Sequence, residues 1–180
     1  MTPRLRKLAL TVHVISSVGW LGAAAAFLAL AVAGLRSRDA DLVVAALLMM
    51  EPVTRLVLVP LALASLLTGL VQSLGTTWGL FRYYWVVTKL VLTVVAVIIL
   101  LQYTETIRYI AAAASDTAPS VADLRVLAIS PLLHAAGGVL VLMLTTILSV
   151  YKPRGTTRYG RRAMRNQRRG GGGQSGVPVS

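Results

Sequence analysis

One uninterrupted apolar stretch constrains this chain more than any other feature of its sequence. Residues 8–34 contain no Asp, Glu, Lys or Arg, and three cations (Arg4, Arg6 and Lys7) stand just before them. A helix rises 1.5 Å per residue, so about 20 apolar residues cross the roughly 30 Å hydrocarbon core of a bilayer. The stretch therefore predicts a transmembrane helix, and the rest of the chain has to be interpreted next to lipid.

A cleaved signal peptide is the alternative interpretation of this segment. Residues 4–7 would be its basic region, and Ala31-Val32-Ala33 would be its cleavage site. The apolar regions of signal peptides are about 7–15 residues long, and this one is nearly twice that length. A spanning helix is the favoured interpretation.

Three further apolar segments predict an all-α protein, a four-helix bundle that crosses the membrane four times. The spans are expected at residues 8–34, 53–74, 86–103 and 129–151. Only 13% of the residues are charged, about half the share in a soluble domain, because charges inside a bilayer are costly. Residues 42–50 are apolar but too short to cross. They are either a helical extension of the second span or an amphipathic piece at the interface.

Positive charge is concentrated at both ends of the chain. Three cations precede the first span, and eight of the 18 Lys and Arg residues lie in residues 152–180. Short flanks rich in Lys and Arg stay on the cytoplasmic side of a membrane. The chain is therefore predicted to lie in the cell membrane with both termini on the cytoplasmic side, which agrees with an even number of spans.

Residues 152–180 form a basic, Gly-rich cytoplasmic tail that is predicted to be disordered, because it has almost nothing apolar to bury. Its arginines are expected to bind anionic lipid headgroups at about 1 kcal/mol each. Nucleic acid is the weaker alternative, since the basic run follows a span directly. A homo-oligomer is compatible with the sequence. It contains no Cys, which excludes disulfides and thiolate metal sites.

Few ionisable side chains lie inside the predicted spans, and such groups usually face the bundle interior and mark function. His13 and Lys89 are predicted at similar depth near the cytoplasmic end, which allows them to be neighbours. His134 differs from His13 in depth by about 20 Å, so the two histidines are not expected to share one haem within a subunit. Glu51, Arg55 and His134 are the secondary polar cluster. Snorkelling of these side chains to the headgroups is the alternative.

Small residues follow each histidine on the same helix face. Ser16 and Ser17 follow His13, and Gly137 and Gly138 follow His134, at three and four residues. Such positions either let a neighbouring helix approach closely or make room for a flat cofactor, and close packing is the commoner use.

The first three spans carry short motifs of a known family. His13 with Trp20-Leu21-Gly22, and the segment from Gly69-Leu70 through Trp85-Val86-Val87-Thr88-Lys89-Leu90, resemble the copper-resistance protein D family and the related HemJ-type protoporphyrinogen oxidases. The four-helix plan is also similar to that of a bacterial group of predicted integral membrane proteins.

This resemblance implies a site for haem b or a porphyrin, used in redox or haem-related chemistry. In HemJ-type proteins the first-span histidine is thought to engage haem b and the third-span lysine is functionally essential. Carried over, this points to His13 as the haem-iron ligand, to Lys89 beside it, and to Trp20 as a packing neighbour.

Two other kinds of function stay open: a cofactor-free membrane scaffold or partner subunit, and a copper or solute permease. The sequence shows no Ser/His/Asp triad, paired carboxylates or phosphate-binding loop, so hydrolysis and phosphoryl transfer have no candidate residues.

Overall fold

The computed structural model describes residues 2–75, 83–115, 120–151, 155 and 157, and nearly all of these residues are helical. In chain order the helices are α1 (Pro3–Arg36), α2 (Ala40–Val53), α3 (Val59–Gly75), α4 (Tyr84–Ser115) and α5 (Val121–Tyr151). With α2 and α3 taken as one unit, four helices are long and apolar enough to cross a membrane. The predicted all-α four-helix bundle is confirmed. Apart from residues 155 and 157, the predicted tail lies outside the described residues.

A π-helical segment, Thr54–Leu58, joins α2 to α3 without a break. The N–H of Val59 bonds to the carbonyl of Thr54, five residues back. Pro60 follows directly, and because a proline ring clashes with the carbonyl four residues before it, a wider turn relieves the crowding. Residues 42–50 therefore extend the second span as helix, which is one of the two alternatives that the sequence allowed.

The four helical units form a ring in which α1 and α4 stand diagonally opposite. Each of the two packs against α2–α3 and against α5, and they do not pack against each other. The side chain of Gln72 donates a hydrogen bond to the carbonyl of Ala9 (3.0 Å), and the N–H of Tyr84 donates to the carbonyl of Gly155 (3.3 Å). These contacts place the start of α1 and the chain beyond α5 at the same end of the bundle, called here the terminal end.

At the opposite end, called the loop end, the turn between α1 and α2 meets the start of α5. Both Nε and Nη2 of Arg125 donate to the carbonyl of Ser37, with 2.9 Å for the Nε bond. Asp39 caps α2 by accepting the N–H of Asp41 at 3.0 Å. The Arg125 guanidinium therefore joins α5 to the turn between α1 and α2.

The most tightly packed side chains lie near the loop end. Helix α4 has 32 residues, or about 48 Å, well beyond the roughly 30 Å of a bilayer core. Residues 104–115 continue it past the predicted span, with an exposed ion pair between Arg108 and Glu105 (2.5 Å). Large side chains with almost no exposed surface cluster at this level: Val43, Leu47, Met50, Ile107 and Leu124. The part of the bundle beyond the predicted spans thus has a core like that of a water-soluble protein.

Replacing Ile107 with Ala should destabilise the protein by about 2–5 kcal/mol, because its side chain is 1% exposed and would leave a cavity. Ile98 lies on the same helix but is 48% exposed, so Ile98→Ala is the matched control and should cost about 0.5 kcal/mol or less. Unfolding in detergent micelles, followed by circular dichroism, measures both. Equal losses for the two variants would contradict this location of the core.

Candidate functional site

A line of hydrogen bonds between α1 and α3, called here the polar seam, crosses the terminal half of the bundle. Ala9, His13 and Ser17 are spaced four residues apart on one face of α1. Ser17 and Ser65 join their hydroxyls at 2.8 Å, and Gln72 bonds to the backbone of Ala9 at 3.0 Å. The His13 imidazole lies between these two contacts.

The hydrogen bonds of His13 define which ring nitrogen carries the proton. Its Nδ1 lies 3.1 Å from the carbonyl oxygen of Ser65 and 3.1 Å from the hydroxyl of Thr68. A carbonyl only accepts, and the Thr68 hydroxyl already donates to the carbonyl of Ala64 at 2.6 Å. Nδ1 is therefore the donor, and in the neutral ring Nε2 keeps its lone pair. Among the described residues, Nε2 has no hydrogen-bond partner.

Gly69 allows α3 to lie this close to the imidazole. A Cβ at this position would stand 3.2 Å from Cε1 of His13, tighter than ordinary van der Waals contact. The glycine of the predicted motif thus has a steric role here, because a larger residue would displace the ring from its carbonyl partner.

Lys89 approaches His13 from the diagonally opposite helix. Its ammonium donates to the hydroxyl of Ser149 on α5 at 2.7 Å and interacts electrostatically with the His13 imidazole. Within the described ranges, no carboxylate lies close enough to Lys89 to form an ion pair. The two side chains are thus within electrostatic range of each other inside the bundle.

A second region of interest is a cavity of about 420 Å³, lined by side chains of α1, α4, α5 and the π-helical segment. Trp20, Tyr103 and His134 contribute its polar side chains, together with Thr54. Gly137 and Gly138 also line it, and a Cβ on either glycine would meet nothing within 4 Å. These glycines leave open space, and no neighbouring helix packs closely against them. Close helix packing, the commoner of the two predicted uses of such small residues, therefore does not apply to them.

His134 is held at the wall of this cavity by two neighbours. Its Nδ1 donates to the carbonyl of Ser130 at 2.9 Å, and its ring stacks on Tyr103 with centroids 3.8 Å apart and planes 12° apart. The hydroxyls of Tyr103 and Ser130 share a further bond of 2.7 Å. Tyr103 is fourteen residues beyond Lys89 on α4, or about 21 Å. The two histidines thus belong to separate levels of the bundle.

Of the remaining predicted site residues, Trp20 lies in the second region, and Glu51 and Arg55 lie outside both. Trp20 lines the cavity with His134, two helical turns along α1 from His13. Glu51 lies in α2 and Arg55 in the π-helical segment, where Arg55 is exposed. Among the described residues these two form no ion pair with each other. A π turn bonds residues five apart, so a spacing of four does not align side chains across it.

Several hydrogen-bond and stacking partners in these two regions were not singled out from the sequence. The signal for those on α3 was present, since Ser65, Thr68 and Gln72 recur every three or four residues and so share one face of a helix. The partners on other helices, Tyr103 and Ser149, have no such local signal. In the described part of the chain, no three His, Asp or Glu side chains group as metal ligands would.

We expect neutral His13 to be the Nδ1-protonated tautomer, which is the minor form of free histidine, because the Ser65 carbonyl can only accept. Nitrogen NMR of ring-labelled protein in lipid measures the tautomer directly. Thr68→Val removes the hydroxyl but leaves the carbonyl, so the tautomer should persist in this control. A predominantly Nε2-protonated ring in the unaltered protein would contradict the polar seam.

No family model, no curated protein and no solved structure matches this chain. The interpretation of its function therefore rests on the residues and contacts described above.

Proposed function

We propose that this chain is a multi-pass protein of the cytoplasmic membrane that binds haem b or a porphyrin through His13 and Lys89. One observation carries the proposal. The Nδ1–H of His13 is anchored on a backbone carbonyl while Nε2 keeps its lone pair. Metal-binding histidines almost always donate their other N–H to a carbonyl or carboxylate in this way, which fixes the ring for its ligand.

The donor set fits the chemistry of haem. A neutral imidazole is the commonest protein ligand of haem iron. The Lys89 ammonium, which has no carboxylate partner among the described residues, would bind a propionate. The resemblance to the copper-resistance protein D family and the HemJ-type enzymes supports the same two residues. When bound, haem supplies one-electron chemistry, and the protein supplies its orientation and surroundings.

The orientation in the membrane is part of this proposal. The contacts of Ala9 and Gly155 put the start of α1 and the chain beyond α5 at the terminal end of the bundle. The excess of Lys and Arg in both flanks favours the cytoplasm for that end. His13 and Lys89 would then lie near the cytoplasmic leaflet. The arginines of residues 152–180 would hold the same end against anionic headgroups.

Absorption spectroscopy tests the haem proposal. The purified protein, reconstituted with hemin, should show a Soret band that His13→Ala weakens by about tenfold or more, since the iron loses its ligand. His134→Ala is the matched control, because it removes the other imidazole at a separate level, and it should leave the band unchanged. A colourless protein would favour the cofactor-free scaffold. A band lost only in His134→Ala would move the porphyrin to the cavity.

The role of Lys89 has its own readout. Lys89→Met should weaken binding of protoporphyrin about tenfold, the scale of a lost charge-assisted hydrogen bond. The dimethyl ester of the same porphyrin carries no carboxylate, so its affinity should be the same in both proteins. Equal weakening of the acid and the ester would show that Lys89 acts on the fold and not on a propionate.

Chemical labelling tests the orientation. The sequence contains no Cys, so Thr2→Cys and Arg38→Cys each introduce a single thiol, one at either end of α1. In intact cells a membrane-impermeant maleimide should label Arg38→Cys, and it should label Thr2→Cys only after lysis, because basic flanks stay inside. The reverse pattern would refute the proposed orientation.

A further inference from the structure

The cavity beside His134 is lined by a hydrogen-bond donor, the Trp20 indole, from which no described side chain or carbonyl accepts. Trp20 lines it, its side chain is 4% exposed, and its indole N–H has no acceptor among the described residues. Buried indole N–H groups usually find a partner, because a desolvated donor without one is costly. A ligand in the cavity that reaches this N–H would supply the missing acceptor.

A complementary acceptor lies in the same cavity. Since Nδ1 of His134 donates to Ser130, the Nε2 of the neutral ring is free to accept. Phe27, two turns beyond Trp20 on α1, also lines the cavity, which therefore extends over about 10 Å of the bundle. A ligand that satisfies both groups needs an acceptor at one point and a donor or second polar group at another.

The shape and surroundings of the cavity define the rest of the ligand. Its volume of about 420 Å³ is within the range of small-molecule sites. Its walls are mainly apolar, and Gly137 and Gly138 add no side chain. Ile99 (47% exposed) and Leu133 (65% exposed) lie at its rim, on the outer faces of α4 and α5. The cavity therefore opens sideways, toward the acyl chains of the bilayer.

We propose that this cavity binds a lipid-soluble quinone, which reaches it from within the bilayer. A quinone ring is flat and apolar, and one of its oxygens can accept the N–H of Trp20. A hydroxyl of the reduced form can donate to Nε2 of His134. An acyl chain has no such acceptor, and the lining residues include no Lys or Arg to hold the propionates of a haem. This site is separate from His13 and Lys89, so it stands independently of the function proposed above.

Binding of decylubiquinone to the full chain in phosphatidylcholine nanodiscs tests the proposal, with equilibrium dialysis against empty discs. Gly138→Leu should abolish saturable binding by filling the cavity, and it should still fold because a Cβ there meets nothing within 4 Å. Gly22 has equally open surroundings but does not line the cavity, so Gly22→Leu is the matched control and should bind normally. Trp20→Phe should weaken binding roughly three- to tenfold, as expected for one lost hydrogen bond.

Three results would overturn the proposal. Partition into the discs without saturation would mean that the cavity holds only acyl chains. Equal losses in Gly138→Leu and Gly22→Leu would trace the effect to the fold. Displacement of the quinone by hemin, with a Soret band that depends on His134, would assign the cavity to a porphyrin. The His13→Ala variant, which is expected to lose the Soret band, should still bind the quinone normally. This result would separate the cavity from the site near the terminal end.

Discussion

Lipid gives these helices no hydrophobic reason to associate, because acyl chains are as apolar as leucine side chains. Specific polar bonds therefore hold the spans in register: the polar seam joins α1 to α3, and the Lys89–Ser149 and Tyr103–Ser130 pairs join α4 to α5. Beyond the predicted spans apolar packing contributes more, since five of the seven large side chains that are fully buried in the described part of the chain lie there. The helices are thus held together mainly by polar bonds within the predicted spans and by apolar packing beyond them.

The same polar bonds that hold the bundle also determine its chemistry. The contact between His13 and the Ser65 carbonyl joins two helices and, at the same time, fixes which imidazole nitrogen is left over. Lys89 is held by Ser149 from a third unit of the bundle and lies within electrostatic range of His13, although their helices do not pack directly. Because stability and site share these contacts, variants that alter the seam have to be judged with a measure of folding as well as of binding.

Much of the architecture could be predicted, because long apolar runs have few interpretations. The spans and the shared depth of His13 and Lys89 followed from counting residues at a fixed rise per residue. The cavity could not be predicted, since it depends on how far apart α4 and α5 stand beside Gly137 and Gly138. The partners on α4 and α5, Tyr103 and Ser149, were equally hidden. Sequence spacing shows which residues share a face, but it does not show which face meets which.

The continuation of α4 through residues 104–115 lifts its end some 18 Å beyond the predicted span. Together with α2 and the start of α5 it packs around Ile107 and Leu124, and Arg125 joins this part of the bundle to the turn at Ser37. The carbonyl of Ser37 accepts both N–H groups of Arg125, so the turn is held by the protein itself. A change at Arg125 would therefore loosen the junction of α1, α2 and α5 together.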